Sequence, residues 1–141
     1  MNDAHLFAAA RKAMLKADYT GGNKVRIGCV AVYKGTILAK GCNTDRTHTY
    51  QAYYNKWRYK DSGNKYLPEK LHAELSVLQR IKFLDIDFSK VHLYIYREMK
   101  DGRQAMSRCC PSCLAAAKAC GIKHLHYTSP DGFIHEVLKY D

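Results

Sequence analysis

Leu71-His72-Ala73-Glu74-Leu75 and Ser107-Arg108-Cys109-Cys110-Pro111-Ser112-Cys113 are the stretches whose reading decides the fold. A His and two cysteines at C-x-x-C spacing offer three ligands of borderline to soft character. With a water in the fourth position they would complete the open tetrahedral arrangement of catalytic zinc sites. Glu74 is left over. Two positions past the His, it can reach that water and move its protons without taking a ligand position.

The spacing also constrains local structure. Positions two apart lie roughly 200° around an ideal helix, so His72 and Glu74 can serve one centre only in the first turns, where a helix end opens on a cleft. The pattern predicts a helix from near Pro68-Glu69 to about Phe83, with Leu71, Leu75 and Leu78 as its buried face. Cys110-Pro111-Ser112-Cys113 opens another, with Pro111 suited to a first helical position. Ala115, Ala116, Ala117 and Ala119 suit close packing, and Gly121 ends it. Two helix N-termini then converge on the metal, and their free N–H groups favour thiolate and hydroxide there.

Working outward, Asn2 or Asp3 can cap a first helix running to about Asp18, in which Leu6, Ala10, Ala13, Met14 and Ala17 keep helical spacing. Val25 to Tyr33 reads as a central strand apolar on both faces. Lys34-Gly35 turns the chain into a second strand, Thr36 to Lys40. Val91 to Arg97 is a third strand and Ile122 to Thr128 a fourth, and Asp131-Gly132 turns into a last short segment, Phe133 to Leu138. Glu98 to Met106 forms an extra arm near the site mouth.

Gly41 to Pro68 reads as a long irregular segment, a length that usually marks a functional loop or lid. Within it Arg46, His48, Lys56, Arg58 and Lys60 alternate with Tyr50, Tyr53, Tyr54, Trp57 and Tyr59. Cations interleaved with aromatics can track a phosphate backbone and stack on unpaired bases. The same residues fit a second reading: Tyr50, Tyr53, Tyr54 and Trp57 fall at i, i+3, i+4 and i+7, the stripe of a short amphipathic helix acting as a lid.

The chain of 141 residues is expected to form one domain, 1–141. Its apolar share of 47% is globular, no run approaches a membrane span, and Asp3, Arg11 and Lys12 interrupt the N-terminal apolar residues where a signal peptide would be continuous. A cytoplasmic protein with reduced thiols is expected. Of the six cysteines, Cys29 and Cys120 read as structural thiols and Cys42 stays unassigned. The net charge of +10 attracts polyanions and phosphorylated small molecules alike, and also serves solubility.

Taken together, the H-A-E and C-P-S-C motifs resemble those of the cytidine/deoxycytidylate deaminase superfamily, the zinc-dependent nucleobase deaminases. The resemblance runs from Val25 to Tyr127. One departure stands out: Cys109 occupies the place of the usual Pro, which has moved inside the C-x-x-C as Pro111. Only Cys110 keeps the spacing to Cys113.

This resemblance implies an α/β fold: a three-layer α/β/α cytidine deaminase-like domain with a mixed central sheet. It implies Zn²⁺ held by His72, Cys110 and Cys113, and Glu74 as general acid and base. The Ala73 backbone would hold the base edge and Tyr127 would pack on the base. Asn43 resembles a ribose-binding residue, although an Asn at a strand end also makes Asx-turns. Arg46, His48, Trp57 and Arg58 stand as phosphate or base contacts. The expected reaction converts a cytosine nucleotide or nucleoside to its uracil form with release of ammonia. The alternative is a nucleic-acid deaminase acting on cytosine in single-stranded DNA or on a tRNA base. Adenine would need the same metal chemistry and a different pocket. A structural zinc protein, with Cys109 or His48 as fourth ligand, would leave Glu74 without a role. Relatives of this kind are commonly homo-oligomers.

Overall fold

The side chain of Asn2 accepts from the His5 backbone N–H at 2.9 Å and starts α1, Asp3–Met14. This computed structural model describes residues 2–17, 26–44, 49–62 and 71–140, with side chains to residue 57 in the third of these segments. α1 ends at Met14, short of Asp18. The N–H groups of Lys16 and Ala17 turn back to the carbonyls of Ala13 and Met14, the tightened last turn that satisfies helix-end acceptors.

β1, Arg26–Tyr33, and β2, Thr36–Cys42, pair antiparallel about Lys34-Gly35, whose φ values of 49° and 80° are both left-handed. That is the two-residue turn whose twist matches the strands. β2 runs on to Cys42, beyond the expected end at Lys40.

The segment read as irregular contains a helix, α2, Thr49–Ser62. Tyr54 is buried, Tyr50 and Trp57 pack half-buried against the same cluster, and Tyr53 stays exposed. The helical alternative is therefore the observed one, as a packed layer. Its buried face also carries Gln51 and Asn55, both fully buried, which the apolar stripe does not announce.

α3, Ala73–Ile81, begins later than Pro68-Glu69, with His72 as its N-cap; residues 63–70 lie outside the described ones. β3 (Val91–Glu98), α4 (Pro111–Cys120), β4 (His124–Ser129) and β5 (Gly132–Val137) follow. The five-stranded sheet has the order β2-β1-β3-β4-β5, and only β3–β4 is parallel, because α4 is the crossover between them. α1 covers one face through Leu6, Phe7, Ala10 and Met14 on Val30, Val32, Tyr94 and Tyr96. The other helices cover the opposite face, where Leu75, Leu78 and Ala116 meet Cys29, Ala31, Leu93, Ile95 and Leu125. The expected mixed sheet and three layers are present. Among the described residues, no helix is long and apolar enough to cross a membrane.

The arm after β3 folds back on itself, with the Met99 N–H donating to the Arg103 carbonyl at 2.8 Å and a bridge between Glu98 and Gln104. Its return wedges between the ends of β3 and β4. Ser107 Oγ bonds the Ile95 carbonyl at 3.0 Å and lies 2.8 Å from Thr128 Oγ1, which donates to the Ala105 carbonyl at 2.7 Å. Side-chain hydroxyls here replace ladder hydrogen bonds, so the strands part and the chain leaves toward Cys110.

α1 rests on Gly28 without space for a side chain: a Cβ there would lie 2.0 Å from the Ala10 carbonyl oxygen and 2.4 Å from the Met14 nitrogen, both backbone atoms. Gly28→Ala must push α1 off the sheet, and a loss of at least about 3 kcal/mol is expected, read as a lowered urea midpoint with unchanged slope.

Candidate active site

His72 and Cys110 occupy equivalent places. Each is the N-cap of its helix, each backbone is extended (φ −79°, ψ 158° and φ −66°, ψ 167°), and neither side chain caps its own helix. An N-cap residue points its side chain across the open helix end, so the ring and the sulfur are directed at a common point rather than along the helices. Cys113, one turn into α4, joins them. The Nδ1 of His72 lies 3.5 Å from Cys110 Sγ and 3.3 Å from Cys113 Sγ, and the sulfurs are 3.6 Å apart. Tetrahedral zinc with sulfur at about 2.3 Å and nitrogen at about 2.0 Å spaces its donors roughly 3.5–3.8 Å apart. The donor set and its spacing both fit zinc, and these three residues can hold one. Cys109 is buried in the core and is not one of the three mutually close donors; Cys110 is the one within 3.5 Å of His72 Nδ1 and 3.6 Å of Cys113 Sγ.

The electrostatics suit a cation. Cys110 is pulled down to about 4, first by the hydrogen bond from the Cys113 thiol and next by His72. Cys113 is held well above the ordinary thiol range by burial. The two sulfurs thus share one proton, which a divalent cation displaces.

Glu74 is 4% exposed, and its Oε1 is buried with no hydrogen-bond partner among the described residues. Burial raises its carboxyl above the ordinary range, partly opposed by His72. A buried oxygen without a partner costs about 1–3 kcal/mol unless something else fills the need. A water on the bound metal would be that partner.

Sequence reasoning missed the residues that hold the two helix ends in place. The His72 N–H donates to Gln51 Oε1 at 3.0 Å, Gln51 Nε2 donates to Asn55 Oδ1 at 2.9 Å, and Ser112 Oγ donates to the same Asn55 oxygen at 3.2 Å. Gln51, Asn55 and Ser112 are all fully buried. One turn of α2 therefore ties the start of α3 to the start of α4. The available signal was two amides at i, i+4, Gln51 directly after Tyr50 and Asn55 directly after Tyr54.

Of the other expected contacts, Ala73 is buried at the first position of α3. Asn43 brackets the start of β1, its Oδ1 accepting from the Ile27 N–H at 2.9 Å and its own N–H donating to the Ile27 carbonyl at 3.2 Å. The next residue, Thr44, donates to the carbonyl of Leu71, beside His72. Tyr127 is buried on the site's face of the sheet, and its hydroxyl is committed to Glu136 at 2.9 Å. Glu136 in turn takes two bonds, 2.8 and 2.9 Å, from Arg108, two residues before Cys110. Trp57 stacks on Tyr54 at 5.4 Å. Arg46, His48 and the side chain of Arg58 lie outside the described residues.

Two outcomes follow from this geometry. Gln51→Leu strands the His72 N–H in the interior and should weaken zinc binding about tenfold or more in chelator competition, at nearly wild-type helix content. Zinc affinity should also rise with pH from about 6 to 8, near tenfold per unit, because the raised Cys113 thiol must lose its proton on binding; a flat profile would contradict the shared-proton account.

The sequence pattern described as the zinc-binding region of cytidine and deoxycytidylate deaminases matches residues 1–129. A cytidine deaminase from Burkholderia pseudomallei is similar in structure, with TM-score 0.65 and 16% identity over 97% of this chain and 93% of that one. A dCMP deaminase from the cyanophage S-TIM5 is similar in its apo form, with TM-score 0.53 and 22% identity over 90% of this chain and 84% of that one. The same protein in complex with dCMP and dUMP gives TM-score 0.52 and 20% identity over 90% and 82%. No curated protein sequence matches the chain. With the family pattern spanning nearly the whole sequence, and His72, Cys110 and Cys113 gathered at donor spacing that suits zinc, the chain belongs to the cytidine and deoxycytidylate deaminase family.

Proposed function

We propose that this protein is a zinc-dependent hydrolytic deaminase that converts cytosine to uracil in a free nucleotide or nucleoside. The observation that carries the reading is the buried Oε1 of Glu74, without a hydrogen-bond partner among the described residues, near three zinc-type donors. Held by His72, Cys110 and Cys113, zinc would lower the pKa of water to about 7 and supply hydroxide at neutral pH. Glu74 takes the proton released there, as a buried carboxylate whose carboxyl form burial favours can. It then gives a proton to the ring nitrogen as the C–O bond forms at the amine-bearing carbon. Glu74 next takes the remaining proton from the new C–OH group and passes it to the amine; the C–N bond breaks, C=O forms and ammonia leaves, so one water is consumed for each ammonia released.

In this reading the Ala73 N–H, at the open end of α3, holds the base edge. Asn43, placed by β1 and one residue from the Thr44–Leu71 bond, contacts the sugar. The ring of Tyr127 supports the base, since its hydroxyl is already used by Glu136. Arg46, His48 and Arg58 are assigned to phosphate on charge alone, and Trp57 to the wall of the substrate cleft. Assembly into a homo-oligomer completes the proposal.

Packing of Tyr54, and in part Tyr50 and Trp57, into the helical layer supports the small substrate, because these rings do not form a continuous exposed stacking track. A polynucleotide substrate has its own support. Tyr53 is 59% exposed with the Lys56 ammonium 4.2 Å over its ring, on a protein of net charge +10. Polymer binding would fall steeply with salt as several phosphate contacts are lost.

Mass spectrometry of dCMP, CMP, their nucleosides, cytosine-containing single-stranded DNA and tRNA, each incubated with the enzyme, separates the readings. Conversion of the free nucleotide or nucleoside alone is expected; conversion of the polymer alone would replace that reading with the second. Glu74→Ala should keep its zinc and lose turnover by at least about 10³-fold, and retained turnover would sink the mechanism for either substrate.

A further inference from the structure

The α1 face of the sheet carries a second group of metal-type donors. Alternation along the strands puts Leu93, Ile95, Leu125 and Tyr127 on the side of α3 and α4. His92, His124 and His126 therefore point the other way, and His135 of β5 pairs with His126 on that same face. The four rings form a block. His92 stacks on His124 with centroids 4.2 Å apart and His126 on His135 at 4.1 Å, while His92 Nδ1 lies 2.8 Å from His126 Nε2 and His124 Nδ1 lies 3.1 Å from His135 Nε2. One ring nitrogen from each of His92, His124 and His135 lies within 4.8 Å of the others.

We infer that His92, His124 and His135 form a second metal site, for a divalent transition cation of the zinc, copper and nickel class, that clips β3, β4 and β5 together. An all-imidazole donor set suits those ions and not calcium or magnesium, which require oxygen. Tetrahedral zinc with nitrogen at about 2.0 Å spaces its donors roughly 3.3 Å apart. The 3.1 Å pair of His124 and His135 is near that spacing already, and the donor nitrogen of His92 lies within 4.8 Å of both, a gap that small side-chain shifts on binding would close. Access is open, since His135 is exposed and His92 and His124 are half-buried.

His126 is the orienting residue beneath the site. It is 4% exposed, its Nε2 holds His92 Nδ1, and its own Nδ1 lies 4.0 Å from Asp3 Oδ2 of α1. Asp3 is itself fixed by the Tyr94 hydroxyl at 2.6 Å. A carboxylate behind an imidazole that steadies a ligand is how outer groups set ligand orientation in metal sites. With His92 Nδ1 engaged by His126, its Nε2 is the nitrogen left to bind. The site contains no cysteine and no residue of the His72 centre, so it stands whatever the substrate of that centre proves to be.

The test is zinc stoichiometry and affinity on the full chain, made without a polyhistidine tag. Wild type should bind two equivalents, and Cys110→Ser/Cys113→Ser should bind one, with a melting temperature raised by zinc. Adding His135→Gln or His92→Gln to that double variant should weaken the remaining equivalent at least tenfold. His135→Gln alone, at an exposed position that the fold tolerates, should take wild type from two equivalents to one, which keeps the test decisive if the cysteine variant does not fold. A single equivalent in wild type, or a second one unaffected by both histidine substitutions, would overturn the site.

Discussion

Two helix N-termini must meet at one point for three ligands so far apart in sequence to share a cation, and the rest of the architecture serves that meeting. His72 caps α3 and Cys110 caps α4, each with extended backbone, so each ligand leaves its helix at the end and not from its side. The parallel pairing of β3 and β4 requires a crossover, and the crossover is α4, which returns the chain beside α3. The Ser107–Thr128 hydroxyl pair releases the chain from the sheet shortly before Cys110. Gln51 and Asn55 then lock both helix starts to α2.

That meeting point also sets the chemistry. Free N–H groups at two helix starts favour negative charge, and burial in the same place disfavours it. Cys110 is lowered mainly by the Cys113 thiol and His72, with a backbone N–H of α4 adding a smaller share, while burial governs Cys113 and Glu74. A cation resolves the tension at the sulfurs by taking both as thiolates. Glu74 keeps a raised carboxyl and an oxygen with no partner among the described residues, so it is withheld from the sulfurs and free to accept and return a proton. The deamination reading rests on this separation of roles: soft donors for the metal and one carboxylate withheld from it.

Ligand chemistry is local, which is why the sequence pointed to His72, Cys110 and Cys113 as donors at two helix starts, the three that the fold gathers, although α3 begins later than its periodicity suggested. Strand alternation in Val91 to Arg97 likewise showed both faces of β3, and the apolar run before Tyr33 showed a central strand. The helix through Tyr50, Tyr54 and Trp57 was legible from its apolar spacing, but the part played by Gln51 and Asn55 was not, because they look like solvent-facing residues until their partners on α3 and α4 are known. The arm after β3 was seen as an insertion, but its purpose depends on Thr128, far along the chain, and pairing of that kind leaves no periodic trace. The histidine block escaped for a related reason: His92, His124, His126 and His135 come from three strands, and only the sheet register brings them together.

The central claim is that zinc sits on one His and two Cys with a position left open. Zinc-edge X-ray absorption on protein in which His135→Gln removes the second cluster, loaded with one equivalent, tests it most directly. The account predicts two sulfur neighbours at about 2.3 Å and two nitrogen or oxygen neighbours near 2.0 Å. A third sulfur would bring Cys109 into a closed, structural site and contradict it, as would a shell with no sulfur at all.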